Sequence, residues 1–320
     1  SRPTRTSMGG GGASGKRAGV RIVSLLPSTT EILFAIGAGE DVVGVTFECD
    51  HPPAARHRRI VSTSALTPGL TVAEIDAEVR TRLGAGEDLY RLDEGALRDL
   101  NPDLVVTQDL CEVCAVDVGT VDAAMEHRGC DGQVLTIDPA TLDDVLNSMV
   151  AIGAATGHEA AAAVLVADLR ERLDQVEATV AGRARPRVAV LEWTDPPFGP
   201  GHWVPDLVLA AGGTPAIGAT GGRSVPVEWA DVAASRPDIV VVAPCGYHLD
   251  DAAVLAKGLL AGGRLPPDVP VWAVDADSSF VRPGPRLVDG VEALAAICHP
   301  VAVTPRPDVA TYVGRGVSTT

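Results

Sequence analysis

Two cysteines stand two residues apart in "TQDLCEVCAV" (107–116), directly after the apolar run "DLVVT". A C-x-x-C of this kind can be a redox pair, half of a metal site, or the lining of a ligand pocket. Gln108, Asp109 and Glu112 accompany Cys111 and Cys114 on that segment. A second polar segment, "FECDHP" (47–52), adds Glu48, Cys49, Asp50 and His51, and a third, "APCGYH" (243–248), adds Cys245. Thiolate and imidazole donors suit a soft or borderline metal such as zinc or iron, so Cys49, Cys111, Cys114 and Cys245 are candidate metal ligands. The second C-x-x-C of a four-cysteine site is missing, a C-x-x-C between a strand and a helix also resembles a thiol redox pair, and pocket lining or structure stays open for these cysteines. Cys130 in "HRGCDG" and Cys298 in "AAICHP" read as inert thiols, and His57, His127, His158 and His299 as surface residues.

The aromatic residues supply a second kind of chemistry. They make up only 3% of the chain, yet Trp193, Phe198 and Trp203 fall together in "EWTDPPFGPGHWVP" (192–205). Tyr247 lies in "APCGYH" and Phe280 in "ADSSFVRPGPR" (276–286), beside Arg282 and Arg286. Scarce rings gathered on a few loops predict a flat, largely apolar ligand gripped by those rings, with His202 and Asp109 near it. Arg282 or Arg286 would hold an anionic group. The alternative for Trp193 and Phe280 is that they plug the ends of a core.

These segments share one position relative to the elements around them. Each follows a run rich in β-branched residues: "VVGVT", "DLVVT", "RVAVL", "DIVVV" or "VWAVD". Such runs read as buried parallel strands, and open parallel sheets bind ligands beyond the carboxyl ends of their strands. "VRIVSLL" (20–26) and "RVAVLE" (187–192) each read as the first strand of a sheet. After the first comes "PSTTEILFAIGA", where Ser28 or Thr29 is expected to cap a helix and Glu31 to favour its first turn. Pro27 and Ser28, at that strand-to-helix junction, join the ligand-binding candidates.

An internal echo predicts two similar lobes. "ALRDLNPDLVVTQ" (96–108) and "DVAASRPDIVVVAP" (231–244) both read as helix, Pro-Asp turn and buried strand. Between the lobes, residues 141–182 are alanine- and leucine-rich without proline, and Glu159 to Val180 is strongly helical in pattern. Such a helix would span roughly 33 Å at 1.5 Å per residue, enough to strut two lobes. The expected organisation is a tail over 1–17, an N-terminal α/β lobe over 18–140, the linker helix over 141–182, a C-terminal α/β lobe over 183–302, and a tail over 303–320. The fold class is α/β, two Rossmann-like lobes with parallel-rich sheets joined by one long helix.

Composition narrows the partners. A formal net charge of −16 opposes a phosphate backbone or an anionic membrane surface, which sets nucleic acid aside. No run of about 18 apolar residues predicts membrane insertion. The glycine-rich, basic start has no apolar signal core, and the six cysteines form no regular framework. The expected location is the cytoplasm, the alternative a secreted or lipid-anchored form with its signal removed. No phosphate-binding G-x-x-x-x-G-K-S/T and no G-x-S-x-G is present.

Taken in order, "RIVSLLPSTTEILFAIGAGEDVVGVT", "LRDLNPDLVVTQ", "DPPFGPGHWVPDLVLAAGG", "SRPDIVVVAPCG" and "FVRPGPRLVDGVEALAAICHP" resemble the substrate-binding proteins of iron-chelate and vitamin B12 ABC importers, closest to their cobalamin-binding branch. The resemblance runs from about Arg21 to Pro300. It implies a helical-backbone fold of class III, a ligand cleft between the lobes, little hinge motion, and a corrin held by aromatic side chains, matched here by Phe198 and Trp203. It also implies a glutamate on each lobe that docks on an ABC permease. Those places hold Gly95, beside Glu94, and Ala230, near Glu228, and the "ECDHP" and "CEVC" loops depart from the importer pattern.

Two functions follow as expectations. The first is a non-catalytic binder of cobalamin or a related metal chelate, as a transporter component or a cytoplasmic carrier. The second is a metal- or thiol-dependent enzyme on the same scaffold, with Cys49, Cys111 and Cys114 as ligands or nucleophile and Glu48 or His51 as base.

Overall fold

A computed structural model describes residues 20–108, 121 and 132–316. The N-terminal sheet contains β1 (Ile22–Ser24), β2 (Val42–Thr46), β3 (Arg59–Ser64), β4 (Tyr90–Leu92), β5 (Leu104–Thr107) and β6 (Gln133–Thr136), in the order β4-β3-β2-β1-β5-β6. All its pairings are parallel except β3 with β4. The C-terminal sheet has the order β10-β7-β12-β13-β14, built from β7 (Arg187–Leu191), β10 (Thr214–Pro215), β12 (Ile239–Val242), β13 (Val271–Val274) and β14 (Ala310–Gly314). Only β13 with β14 is antiparallel in this sheet. β5 and β12 are buried at every position, as the apolar runs predict for strands covered on both faces.

Two sequence expectations change at the edges. Residues 310–314 are not a tail but the strand β14, which closes the sheet against β13. The aromatic segment after β7 is not an open loop: β8 (Trp193–Thr194) and β9 (Pro197–Gly199) form a hairpin, extended by β11 (Val225–Pro226).

The echo between the halves is physical. α3 (Glu94–Leu100) and α7 (Trp229–Ala234) are each followed by a residue in the left-handed region, Asn101 at φ 43° and Arg236 at φ 45°, before the Pro-Asp pair. The aspartate then accepts a hydrogen bond from the backbone that enters the first strand: Arg21 N to Asp103 at 2.8 Å, and Arg187 N to Asp238 at 2.7 Å. The same arginines donate back to the helix ends, at Leu100 O and Ser235 O. Proline forbids continuation of the helix, and the aspartate fastens the turn to the sheet.

The linker expected as one helix over 141–182 is two, α4 (Leu142–Thr156) and α5 (Glu159–Val180), broken at Gly157 and His158. α4 opens with a capping box between Thr141 and Asp144 and closes at Gly157, whose φ of 71° suits glycine. Gly153 lies under Ala162, so any side chain there would overlap the second helix. One core runs from Ile22, Ile32 and Val106 of the first lobe through Met149, Leu169 and Val176 of the connecting helices to Val190, Leu207 and Phe280 of the second. A core shared in this way resists hinge motion, because opening would separate packed side chains.

Candidate functional site

The carboxyl ends of the strands converge between the lobes, and charged side chains fill the junction. α1 (Pro27–Ala35) follows β1 and carries Glu31, buried at 4% exposure. Arg286, at the start of α10 (Leu287–Cys298), grips Glu31 with two bonds, Nε to Oε2 at 2.8 Å and Nη2 to Oε1 at 2.5 Å. Arg282 joins three carboxylates: Asp50 at 2.6 Å, Asp277 at 2.5 Å and Glu31 at 3.4 Å, and it donates to Glu48 O at 3.3 Å. Glu31, Glu48 and Asp50 belong to the first lobe and the arginines to the second, so the network bridges the cleft.

Burial sets the charge states. It disfavours the Arg282 cation, but Asp277, Asp50 and Glu31 more than compensate and hold its pKa above the ordinary value. Burial also opposes the charge of Asp50, which the Arg282 hydrogen bond and charge overcome, leaving its pKa below the usual range. Glu48 has less help: burial raises its pKa to about 7, against the lowering effects of Arg282 and of the Tyr90 hydroxyl at 3.3 Å. Desolvation likewise lifts Asp277.

Rings stand on each side of these charges. Phe47 and Tyr90 of the first lobe pack at 6.3 Å between centroids. Trp193 and Tyr247 of the second meet edge-on at 5.8 Å and 65°. Trp193 Nε1 is buried without a hydrogen-bond partner among the described residues. Phe198 is half-buried on β9, beside Trp193 in register.

Other candidates are placed differently from the expectation. Phe280 is fully buried in the shared core, against Gly290, and does not wall a cleft. Trp203 is also buried and donates from Nε1 to Phe280 O at 2.7 Å, so its indole closes the base of the second lobe. Both plug the core because their neighbours on α10 and on α6 (Val204–Ala210) are apolar. His202 takes φ 49°, its backbone pairs with Gly221 and Gly222, and its ring lies 5.6 Å from that of Trp203. Pro27 starts α1, but neither Ser28 nor Thr29 caps it: the cap position is Leu26, whose carbonyl accepts from the Thr29 and Thr30 hydroxyls. Ser28 is buried beneath Gly284 of the other lobe.

The cysteines divide. Cys49 is packed in the core with Thr30 Oγ1 at 3.0 Å from its sulfur, and burial pushes its thiol up to about 12, away from the thiolate that a metal requires. Cys245 is exposed and free. Asp109, Cys111 and Cys114 lie outside the described residues. His299 is not a surface residue: it is buried, with Nε2 3.3 Å from Gly212 O.

The sequence pattern alone does not single out every participant. Glu31, His248, Asp275 and Asp277 form the charged centre, and their signal is position: Asp275 and Asp277 directly follow β13, His248 lies in the segment after β12, and Glu31 in the helix after β1.

Residues 22–262 match the periplasmic binding protein family. The chain belongs to that family. A cobalamin-binding protein of Halobacterium salinarum is 26% identical over 87% of this chain and 69% of its own length. A vitamin B12-binding protein of Yersinia pestis is 24% identical over 91% of this chain and 89% of its own. Among solved structures, the periplasmic vitamin B12 binding protein of Vibrio cholerae superposes with a TM-score of 0.64 at 20% identity, covering 87% of this chain and 96% of that one. A periplasmic heme binding protein from Pseudomonas aeruginosa gives 0.67 at 21%, covering 93% and 99%. The family member described here is thus a two-lobed substrate-binding protein of the helical-backbone kind. Among its described residues, no helix is long and apolar enough to cross a membrane.

Proposed function

We propose that this protein binds a corrinoid of the cobalamin type in the cleft between its lobes, as the substrate-binding partner of an ABC permease or as a carrier. The observation that carries the reading is the pair of aromatic contacts at the junction, Phe47 with Tyr90 and Trp193 with Tyr247, one from each lobe. Rings on both sides suit a flat macrocycle, and Trp193 Nε1, without a partner among the described residues, offers a donor to one of its polar edges. The relatives that bind cobalamin or vitamin B12 along most of this chain support the same ligand class. The acid-rich junction adds a preference for a chelate without free carboxylates, since Glu31, Asp50 and Asp277 would repel them. Permease docking would fall to Glu94 and Glu228, although the Glu228 side chain is already engaged in the capping box of α7. A cytoplasmic location belongs to the carrier form of the proposal, supported by the exposed free thiol of Cys245; recovery from an exported fraction of its own cells would favour the permease form instead.

Titration of the protein with cobalamin, followed by the visible spectrum and tryptophan fluorescence in EDTA, tests the ligand. Saturable one-to-one binding in the micromolar range or tighter is expected, weakened about tenfold or more in Trp193→Ala, the loss of one stacked ring. No spectral change and no co-elution at micromolar concentrations would sink the proposal.

A further inference from the structure

The most unusual geometry in the molecule surrounds His248, which precedes α8 (Leu249–Ala261). Its Nδ1 lies 3.1 Å from Asp275 Oδ1. A carboxylate only accepts, so this contact places a proton on Nδ1, and in the neutral ring Nε2 then presents a lone pair. That lone pair faces Asp50 Oδ2 at 3.5 Å and Asp277 Oδ2 at 3.6 Å. The three atoms lie within 4.8 Å of one another. Arg282 Nη2 already meets Asp277 Oδ2 at 2.5 Å, and Arg56 stands 3.8 Å from Asp50 Oδ2, but neither cation lies against the His248 nitrogen, so three acceptors turned toward a common point still leave room for a positive centre among them.

Spacing separates the two possible centres. An imidazolium proton would draw a carboxylate oxygen to about 2.7–2.9 Å, the length of a charge-assisted hydrogen bond. A tetrahedral ion with ligands at about 2.0–2.2 Å sets its ligand atoms about 3.3–3.6 Å apart, which matches the two distances from His248 Nε2, 3.5 and 3.6 Å. The partners of the three groups suit an ion as well. Asp275 buttresses His248 from behind, as carboxylates do for metal-bound histidines, and its own oxygen is fixed by Ser278 N at 3.0 Å. Arg282 holds Asp50 through Oδ1, leaving Oδ2 directed at His248. Charge agrees: Arg56, Arg282 and Arg286 stand against Glu31, Asp50, Asp277 and the Asp275 behind His248, which leaves one acid more than the bases for a cation to meet.

We propose that Asp50, His248 and Asp277 form a binding site for a divalent cation of zinc type between the two lobes, with Asp275 and Arg282 orienting the ligands. One carboxylate comes from the first lobe and two ligands from the second, so the ion ties the lobes together beside the cleft. His248 is half-exposed, at 52% of its side chain, which gives the ion a path from solvent. The site goes beyond the corrinoid reading and stands whether or not that reading does.

Calorimetric titration of EDTA-stripped full-length protein with zinc chloride tests it, separately from the corrinoid titration. One zinc per chain is expected, with affinity lowered at least about 100-fold in His248→Ala and about 10–100-fold in Asp275→Asn, the usual effect of losing an outer-shell partner. A Cys111→Ser, Cys114→Ser variant should keep the binding. Unchanged affinity in His248→Ala, or loss confined to the cysteine variant, overturns the site. So does wild-type protein that takes up no zinc while the His248 ring titrates by NMR as an imidazolium, because the positive centre is then a proton.

Discussion

Two arginine-carboxylate networks flank α10, and they differ in what they join. Behind the helix, Arg172 of α5 binds Asp289 at 2.7 Å and Glu292 at 2.9 Å, and Arg306 binds Glu292 at 2.5 Å and Asp308 at 2.9 Å. There Asp289 and Glu292 are each held by two cations, at side chains roughly a quarter exposed, and the network clamps the connecting helix to the second lobe. In front of the helix, Arg282 and Arg286 reach across the cleft to Glu31 and Asp50, where Arg282 is only 10% and Glu31 only 3% exposed at the side chain. The rear network is a structural fastening. The front one holds its charge at greater burial and across the cleft, a costly arrangement of the kind that functional sites keep.

The largest test of this contrast removes the central front cation. Arg282→Met keeps much of the apolar stem but leaves Asp50, Asp277 and Glu31 facing one another, and should cost about 3–5 kcal/mol in urea denaturation. A loss under about 1 kcal/mol would make the two networks equivalent and break the comparison.

The next concerns protons. The folded-state pKa of Glu48 is raised by burial from 4.5 to about 7, so the native protein holds a proton that the unfolded chain has lost in that interval. Stability from this group is complete below pH 4.5 and declines as pH rises toward 7. Stability measured in EDTA should therefore fall across that window, by order 1–3 kcal/mol, and Glu48→Gln should flatten this part of the profile. A Gln variant with an unchanged profile would remove Glu48 from the strained front network.

The smallest effect belongs to the rear. Arg306→Ala should cost about 0.5–1 kcal/mol, less at high salt, since solvent screens a pair this exposed. A loss as large as that of Arg282→Met would show the rear clamp to be equally buried in effect.

Much of the scaffold is legible in local sequence pattern. "DLVVT" and "DIVVV" contain β5 and β12, and the helix expected over Glu159–Val180 has those bounds, because β-branched runs and long alanine-leucine stretches leave the backbone few alternatives. The site is legible only in part. Asp50, His248 and Arg282 lie in the segments that draw notice for their cysteines and rings, but Glu31 sits inside a helical pattern where it looks like ordinary first-turn acid. Its partner Arg282 is 251 residues away. Phe280 and Trp203 mislead for the opposite reason: a ring in a loop-like segment can face a ligand or plug a core, and local sequence is the same in both cases.

By itself, then, the sequence determined the strands, the second connecting helix, the twin Pro-Asp turns and the placing of polar segments after the strands, since all of these depend on local propensity and period. Tertiary structure alone decided which polar residues meet. Glu31 became the anchor of Arg286, His248 was turned by Asp275 toward two carboxylates, and Phe280 was withdrawn into the core. Pairing across a cleft depends on distances between elements remote in the chain, and no short-range pattern encodes those distances.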